Sequence, residues 1–409
     1  MTDHIMVIHR WRDRHALYGD YIDHRRHHVS YVVTELGRQS VPGDAAEIVT
    51  VSATDDFVEV QKAAEYLSGR FGPPARVVAL NEGDLDTAAM LRMHLGCPGQ
   101  DPVQLSRFRD KLTMTAMVAR AGIRTLPAAE APDPSSVRRF ADAHGWPVVV
   151  KPRRGTASRG VLKLDSVHDL SRLRHPAVEP ALVQRFCADP IYHIDGLWTG
   201  TTLGPWRACR YLNTCADFGS GQFLGSVEVD DPCLLEALGE FTAGVAGALS
   251  QEPWVFHLEA FVGSAADGAP QLTFLEVGYR VGGAEIPFVW REVHAIDLMA
   301  AAVDVQLGRK PSLATPRSWK TGGWLLVPTP VPAPCRVVTA TLPPAAGEDP
   351  YAQVVPPVGY VVPRLGGYEH VGARFRFRGA CTSEVEKAIT STASRFRLEC
   401  TAKTWNEEI

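Results

Sequence analysis

Four short β-branched runs punctuate the first eighty residues: Ile5–Ile8 (IMVI), Val29–Val33 (VSYVV), Glu47–Val51 (EIVTV) and Arg76–Leu80 (RVVAL). Each is short and almost wholly apolar, the pattern of a strand buried on both faces. Helical stretches separate them. FVEVQKAAEYLSGRF (57–71) is one, and DTAAMLRMHLG (86–96) reads as a second, closed by Gly96. Such alternation predicts a parallel α/β sheet, whose functional edge is the carboxyl end of its strands. The loop NEGD (81–84) leaves RVVAL at that edge. Glu82 is therefore a candidate for ligand contact, with helix capping the more ordinary role for an acidic residue there.

The chain has 409 residues, 45% of them hydrophobic and 22% charged, which predicts two or three globular domains. A net charge of -4 gives no footprint for nucleic acid or an anionic membrane. No run approaches the roughly 18 apolar residues of a membrane span. The opening MTDHIMVIHRWRDRH carries charge inside its apolar patch, unlike a signal peptide. A cytoplasmic protein is expected. The 8 cysteines form no Cys-x-x-Cys pair and no zinc spacing, so they read as reduced and structural.

Beyond residue 100, RDKLTMTAMVARAGI (109–123) reads as a helix. A compact α/β segment follows: SSVRRFADAHG helical, WPVVVKP, VLKLDS and ALVQRF as strands. Longer strands come next, in IYHIDGLWTG, WRACRYLN, PWVFHLEAFVG and QLTFLEVGYR. From Lys310 onward the chain is rich in Pro and Gly and closes with a helix around EVEKAITSTAS. The expected division is 1–108, 109–188 and 189–409, with 310–409 a smaller appended α+β lobe.

Three stretches carry chemistry. WPVVVKPRRGTASRGVLKL (146–164) places Lys151 at a strand end, followed by a loop with Gly155, Thr156, Ser158 and Gly160. Such a loop can lay N–H and hydroxyl groups over phosphates, while a glycine hairpin with solvated charges is the plain alternative. It is not the P-loop pattern of the common NTPases. In FHLEAF (256–261), His257 and Glu259 share one strand face. The stretch TFLEVGYRVGGAEIP (273–287) brings Glu276, then Arg280, then Gly282 and Gly283. Two carboxylates on neighbouring strands repel unless a cation bridges them, and oxygen ligands near phosphates suit Mg²⁺. An arginine beside such a metal can neutralise a transferring phosphoryl group; a surface ion pair of Glu276 with Arg280 is the plain alternative. Trp290 and Arg291 in PFVWREVH are candidate substrate residues, with core packing and solvation as their ordinary roles. Tyr192, His193 and Arg210 stand in the same position.

Taken in order, Lys111 in DKLTM, Lys151 with its glycine loop, LVQRF, HLE and LEVGYRVGG resemble the ATP-grasp superfamily. Within it they are similar to the carboxylate–amine ligases of the L-amino-acid ligase group, and NEGDLDTAAMLRMHLGCPG strengthens the likeness. The resemblance covers most of residues 75–310. It implies an α/β fold: an N-terminal doubly wound parallel α/β domain, a small α+β lid and a C-terminal α+β domain. It implies that Lys111 and Lys151 contact nucleotide phosphates and that Gly155, Thr156, Ser158 and Gly160 close over them. Gln184, Phe186 and Cys187 would hold adenine, Glu259 and Glu276 would ligate Mg²⁺, and Arg280 would stabilise an acyl phosphate. Apart from the resemblance, Glu82, His257, Gly283, Trp290 and Arg291 are the residues expected to face substrate. Two departures stand out: the linker strand reads Gln184-Arg185 where the family often has an acid, and Gly278 stands where it often has asparagine. The implied activity is ATP-dependent amide formation from a small-molecule carboxylate and amine, with ATP and Mg²⁺ required and a homodimer compatible. The alternatives are another nucleophile (a thiol, a carrier protein or a nucleoside amine), or a nucleotide-binding module without turnover.

Overall fold

The structure is a computed structural model that describes residues 2–156, 159–173, 179–311, 320–345, 347–364, 368 and 370–402. Four strands open the chain: β1 (His4–His9), β2 (His28–Thr34), β3 (Glu47–Val51) and β4 (Arg76–Ala79). They form a parallel sheet in the order β3-β2-β1-β4. Burial on both sides explains the apolar runs of β1, β2 and β4, whereas β3, at the sheet edge, is only partly buried and leaves Thr50 exposed. Val7, Val29, Tyr31 and Val33 face one core, while Met6, Ile8 and Val32 face another. That second core is closed by the helices Phe57–Phe71 and Leu85–Leu95. Asp56 caps the first by accepting from Val58 N and Glu59 N, and Gly96 ends the second at φ 65°, a left-handed conformation that suits glycine.

A small antiparallel sheet follows, built from β5 (Ala128–Glu130), β6 (Val148–Pro152), β7 (Leu162–Leu164) and β8 (Ala181–Arg185) in the order β5-β8-β6-β7. The helix expected over 109–123 runs from Lys111 to Arg120, and a separate helix, Pro102–Arg109, precedes it. Asp110 is the break: its backbone is extended and its side chain caps the second helix through Leu112 N and Thr113 N. Lys111 therefore opens a helix instead of lying inside one.

The remaining strands are β9 (Ile191–Trp198), β10 (Leu203–Tyr211), β11 (Leu224–Glu228), β12 (Trp254–Ser264), β13 (Pro270–Gly278), β14 (Thr321–Val327), β15 (Cys335–Thr341), β16 (Ala352–Val354), β17 (Val361–Val362), β18 (Ala373–Gly379) and β19 (Arg397–Ala402). Eight of them form one antiparallel sheet, β13-β12-β9-β10-β11-β14-β18-β16. The segment expected as an appended lobe thus donates β14, β16 and β18 to this sheet, because β14 pairs along β11. Only β15, β17 and β19 form a separate sheet. The joint is reinforced by charge: Arg374 on β18 pairs with Asp13 near the chain start and with Glu285 at 3.0 Å. No described helix is long and apolar enough to cross a membrane.

One aromatic cluster supports the strands that carry the site. Trp254, at the head of β12, is fully buried, with Phe108 at 4.6 Å between ring centroids and Tyr279 stacked at 6.0 Å. Trp254→Ala is expected to cost about 3–5 kcal/mol, the usual loss for a large buried ring. A denaturant midpoint that falls with an unchanged slope is the check.

Candidate active site

Two rungs of the large sheet bring the polar residues together. In the first, Glu276 on β13 lies opposite Glu259 on β12, which lies opposite His193 on β9. In the next, Gly278 faces His257, which faces Asp195. Residues two apart on a strand share a face, so the rungs form one polar patch on a sheet otherwise full of buried apolar side chains.

The two glutamates are balanced by cations from opposite sides. Lys111 Nζ lies 3.4 Å from Glu276 Oε2, and Lys151 Nζ lies 4.0 Å from the same atom. Burial pushes the Lys151 ammonium below its ordinary pKa, against the pull of Glu276. Glu259 Oε1 accepts from Tyr211 Oη at 3.0 Å and lies 3.6 Å from His257 Nε2. Burial opposes ionisation of Glu259, yet the nearby His257 charge and the Tyr211 hydroxyl hold its pKa below the ordinary value. Burial would likewise discharge His257, but Asp195 at 2.9 Å outweighs it, raising the imidazole to about 9 even with Arg280 nearby.

Lys111 also fixes the start of the glycine loop. Its Nζ donates to Gly155 O at 2.8 Å and its backbone N–H to Arg153 O at 2.9 Å. Arg159 Nη2 reaches Thr156 Oγ1 at 3.1 Å. Gly160 turns at φ 73°, where a Cβ would also press within 3.0 Å of Pro152. Ser158 lies outside the described residues. Gln184 is buried on β8 and faces Val149 on β6, so it shares a sheet face with Lys151 two residues on. Arg185 points outward and is exposed. Lys163 Nζ sits 4.6 Å above the ring of Phe186, and Cys187 Sγ lies 3.5 Å from Asp189 Oδ2, both on the stretch linking β8 to β9.

Arg280 does not pair with Glu276. Its Nε and Nη2 both reach Glu82 Oε2, at 3.0 and 2.9 Å, while Arg109 Nη1 holds Glu82 Oε1 at 2.7 Å. Burial alone would raise the Glu82 carboxyl, but Arg280, Arg109 and Lys111 hold it down at about 2. Gly278 makes room for this arrangement: a Cβ there would stand 3.3 Å from Arg280 Nε and 3.4 Å from its Cγ, so the side chain could not fold back as closely. Glu82, Arg109, Lys111, His257, Glu276, Gly278 and Arg280 line one cleft with Phe108 and Met114.

Trp290, Arg291 and Arg210 lie elsewhere. Trp290 is buried in the core against His294, because the helix Ile286–His294 turns it inward under β14. Arg291 is spent on Arg14 O at 3.0 Å and on Asp297 at 3.6 Å. Arg210 pairs with Glu386 at 2.7 Å. Gly283 stands near Tyr368, whose ring would be 3.8 Å from a Cβ at that position. Asp195, Tyr211 and Arg109 were missed. The signal for Asp195 was in IYHIDG, where two polar residues alternate on one strand face; Tyr211 and Arg109 had no local signal.

The residues present fit a magnesium ion. Glu259 and Glu276 are all-oxygen donors set opposite each other on adjacent strands. The lysines approach Glu276 no nearer than 3.4 Å, so its oxygens keep lone pairs for a hard cation.

No family model matches the chain. A D-alanine–D-alanine ligase of Streptomyces griseus is 38% identical over 75 residues, which is 17% of this chain and 17% of that ligase. Solved structures align over nearly the whole length. The L-amino acid ligase of Bacillus licheniformis has a TM-score of 0.73 at 15% identity, covering 98% of this chain and 99% of that one. The N5-carboxyaminoimidazole ribonucleotide synthetase of Thermotoga maritima reaches 0.65 at 12% identity, over 97% and 99%. The biotin carboxylase domain of the 2-oxoglutarate carboxylase of Hydrogenobacter thermophilus, in complex with MgADP, ADP and bicarbonate, reaches 0.66 at 13%, over 98% and 91%.

The Glu82 cluster yields a pH prediction. With its folded pKa at about 2 against an ordinary 4.5, Glu82 contributes stability that is complete above 4.5 and is lost as pH falls toward 2. Glu82→Gln should show a flatter decline of melting temperature across that window than the parent, while the two curves run parallel above it.

Proposed function

With the ATP-grasp fold that this chain shares with those ligases as premise, we propose that the protein is an ADP-forming carboxylate–amine ligase with an amino acid as one substrate. The observation that carries this reading is the cleft that joins Lys111 and Glu276 to the Glu82–Arg280 pair, with Lys151 4.0 Å from Glu276 and Glu259 opposite it on the neighbouring strand. The first group suits a nucleotide with its metal. The second presents one carboxylate and one guanidinium side by side, as a zwitterion requires. The names of the L-amino acid ligase and the D-alanine–D-alanine ligase point the same way. Residues 1–108, 109–188 and 189–409 remain our proposed domain division, with β14, β16 and β18 of the last hundred residues joined to the large sheet.

In this reading Lys111 and Lys151 hold the phosphates of ATP, which is consumed as a substrate. Gly155, Thr156 and Gly160 lie over them, and Gln184, Phe186 and Cys187 border the adenine. Glu259 and Glu276 would hold Mg²⁺, which supplies charge neutralisation at the transferring phosphoryl oxygens. The substrate carboxylate oxygen attacks the γ-phosphorus and the bond to the bridging oxygen of ADP breaks, giving an acyl phosphate. The amine then attacks the acyl carbon, loses a proton and expels phosphate. Arg280 faces the oxyanion of that step, and Gly283 lets backbone approach it without a Cβ. The lysines at Glu276 leave their carboxylate partner for phosphate at little electrostatic cost, since one anion replaces another. Positioning and charge placement dominate such chemistry.

Incubation with Mg²⁺, ATP and pooled amino acids should release phosphate in an amino-acid-dependent manner and give a product one water lighter than its two substrates, read by mass spectrometry. Nucleotide binding without turnover on any amine, thiol or carrier would overturn the ligase reading. Arg280→Ala should lower turnover about 10²–10³-fold, the usual cost of one preorganised charge-stabilising group, with ATP affinity preserved. An unchanged turnover number at saturating Mg²⁺ would remove Arg280 from the reaction.

A further inference from the structure

Asp195 is a buried acid to which the proposed reaction gives no task. Its side chain is 1% exposed and faces no open space. Three N–H groups converge on it: His193 Nδ1 at 2.7 Å, His257 Nδ1 at 2.9 Å and the backbone N–H of Gly282 at 3.0 Å. The carboxylate can only accept, so both imidazoles donate to it. His257 then turns its other nitrogen to Glu259, 3.6 Å away. Gly282 lies two residues beyond Arg280 and next to Gly283. A Cβ at Gly282 would stand 2.5 Å from Asp195 Oδ1 and 2.9 Å from His257 Nδ1, so the backbone approaches the acid as closely as only glycine allows. The same loop holds Ala284 at φ 53°, a conformation that persists only where the surroundings impose it.

We propose that Asp195 is a positioning residue: through His257 it orients the Glu259 carboxylate, and through the Gly282 N–H it anchors the loop that carries Arg280 and Gly283. One buried group thereby sets the spacing between the metal-facing acid and the anion-facing arginine. The inference rests on the reading of Glu259 as a magnesium-binding carboxylate. His193, Asp195 and His257 also have the spacing of a small metal cluster. Their hydrogen bonds assign them otherwise, since His193 Nε2 is already bound to Ser226 Oγ at 2.7 Å. Groups that orient metal ligands in this way change metal affinity or activity by about 10–100-fold when removed.

The test uses the whole protein and ADP as probe. In Asp195→Asn the amide nitrogen opposes one of the three N–H donors. The Mg²⁺ needed for half-maximal ADP binding, measured by calorimetry, should rise about 10–100-fold and turnover should fall by a similar factor. ADP affinity at saturating Mg²⁺ should stay at the parent value. Ser226→Ala cuts the network on its far side and should lower the melting temperature without moving the Mg²⁺ requirement. A folded Asp195→Asn with the parent's Mg²⁺ requirement overturns the inference. Should Asp195→Asn not fold, His257→Phe, which keeps a ring but severs the link to Glu259, must show the same rise; a parent-like requirement there overturns it. Loss of folding in both variants overturns it as well, leaving the network a stabilising role alone. A parent protein that binds no nucleotide with Mg²⁺ is a different failure, that of the proposed function itself.

Discussion

Two glutamates stand opposite each other on neighbouring strands, and the surroundings of the site answer that fact. Like charges directly across a strand pair destabilise the sheet unless they are compensated. Glu259 is compensated from within the sheet, by His257 and Tyr211. Glu276 is compensated from outside it, by Lys111 at the start of a helix and Lys151 at the end of a strand of the small sheet. Three separate pieces of the chain are therefore drawn to one point. Ion pairs to a carboxylate as open to solvent as Glu276, 36% exposed, contribute little to stability, so the arrangement is better understood as a place kept ready for other charges.

The arginine loop follows a different logic. Arg280 folds back over Gly278 toward the parallel sheet and meets Glu82, which Arg109 also holds. The missing side chain at residue 278 is thus explained by packing: it frees the path of the guanidinium. Glu82 brings in the carboxyl edge of the N-terminal strands, the edge expected to carry function in a parallel sheet.

Much of this was legible in the residues. The double-sided burial of β1, β2 and β4 followed from their apolar runs, while β3 reads alike and is only partly buried because it lies at the sheet edge; the glycine loop and both glutamates were visible as local patterns. What escaped was pairing across long separations. The plain alternative of an Arg280–Glu276 pair rested on their closeness in sequence, whereas the partner of Arg280 is Glu82, 198 residues away. The alternation of His193 and Asp195 on one strand face was a local signal for Asp195, but its partners His257 and Gly282 lie far along the chain. The break at Asp110 was hidden by strong helix formers on both sides, and only the cap geometry separates the two helices. Trp290 and Arg291 were drawn toward the substrate by residue type alone, and packing assigned them to the scaffold.

The strand pairing that carries β14 and β18 onto the far side of the large sheet bears on how this chain can be altered. Arg374 closes a triangle with Asp13, near the chain start, and Glu285, just past the arginine loop. Residues separated by most of the polypeptide therefore share one electrostatic knot. Shortening the chain at about residue 310 would leave Glu285 and Asp13 without their common cation and strip the sheet of its outer strands. Chimeras that exchange the C-terminal quarter with a structural relative would have to carry the first loop along with it, because the two ends of the molecule form one inheritable unit.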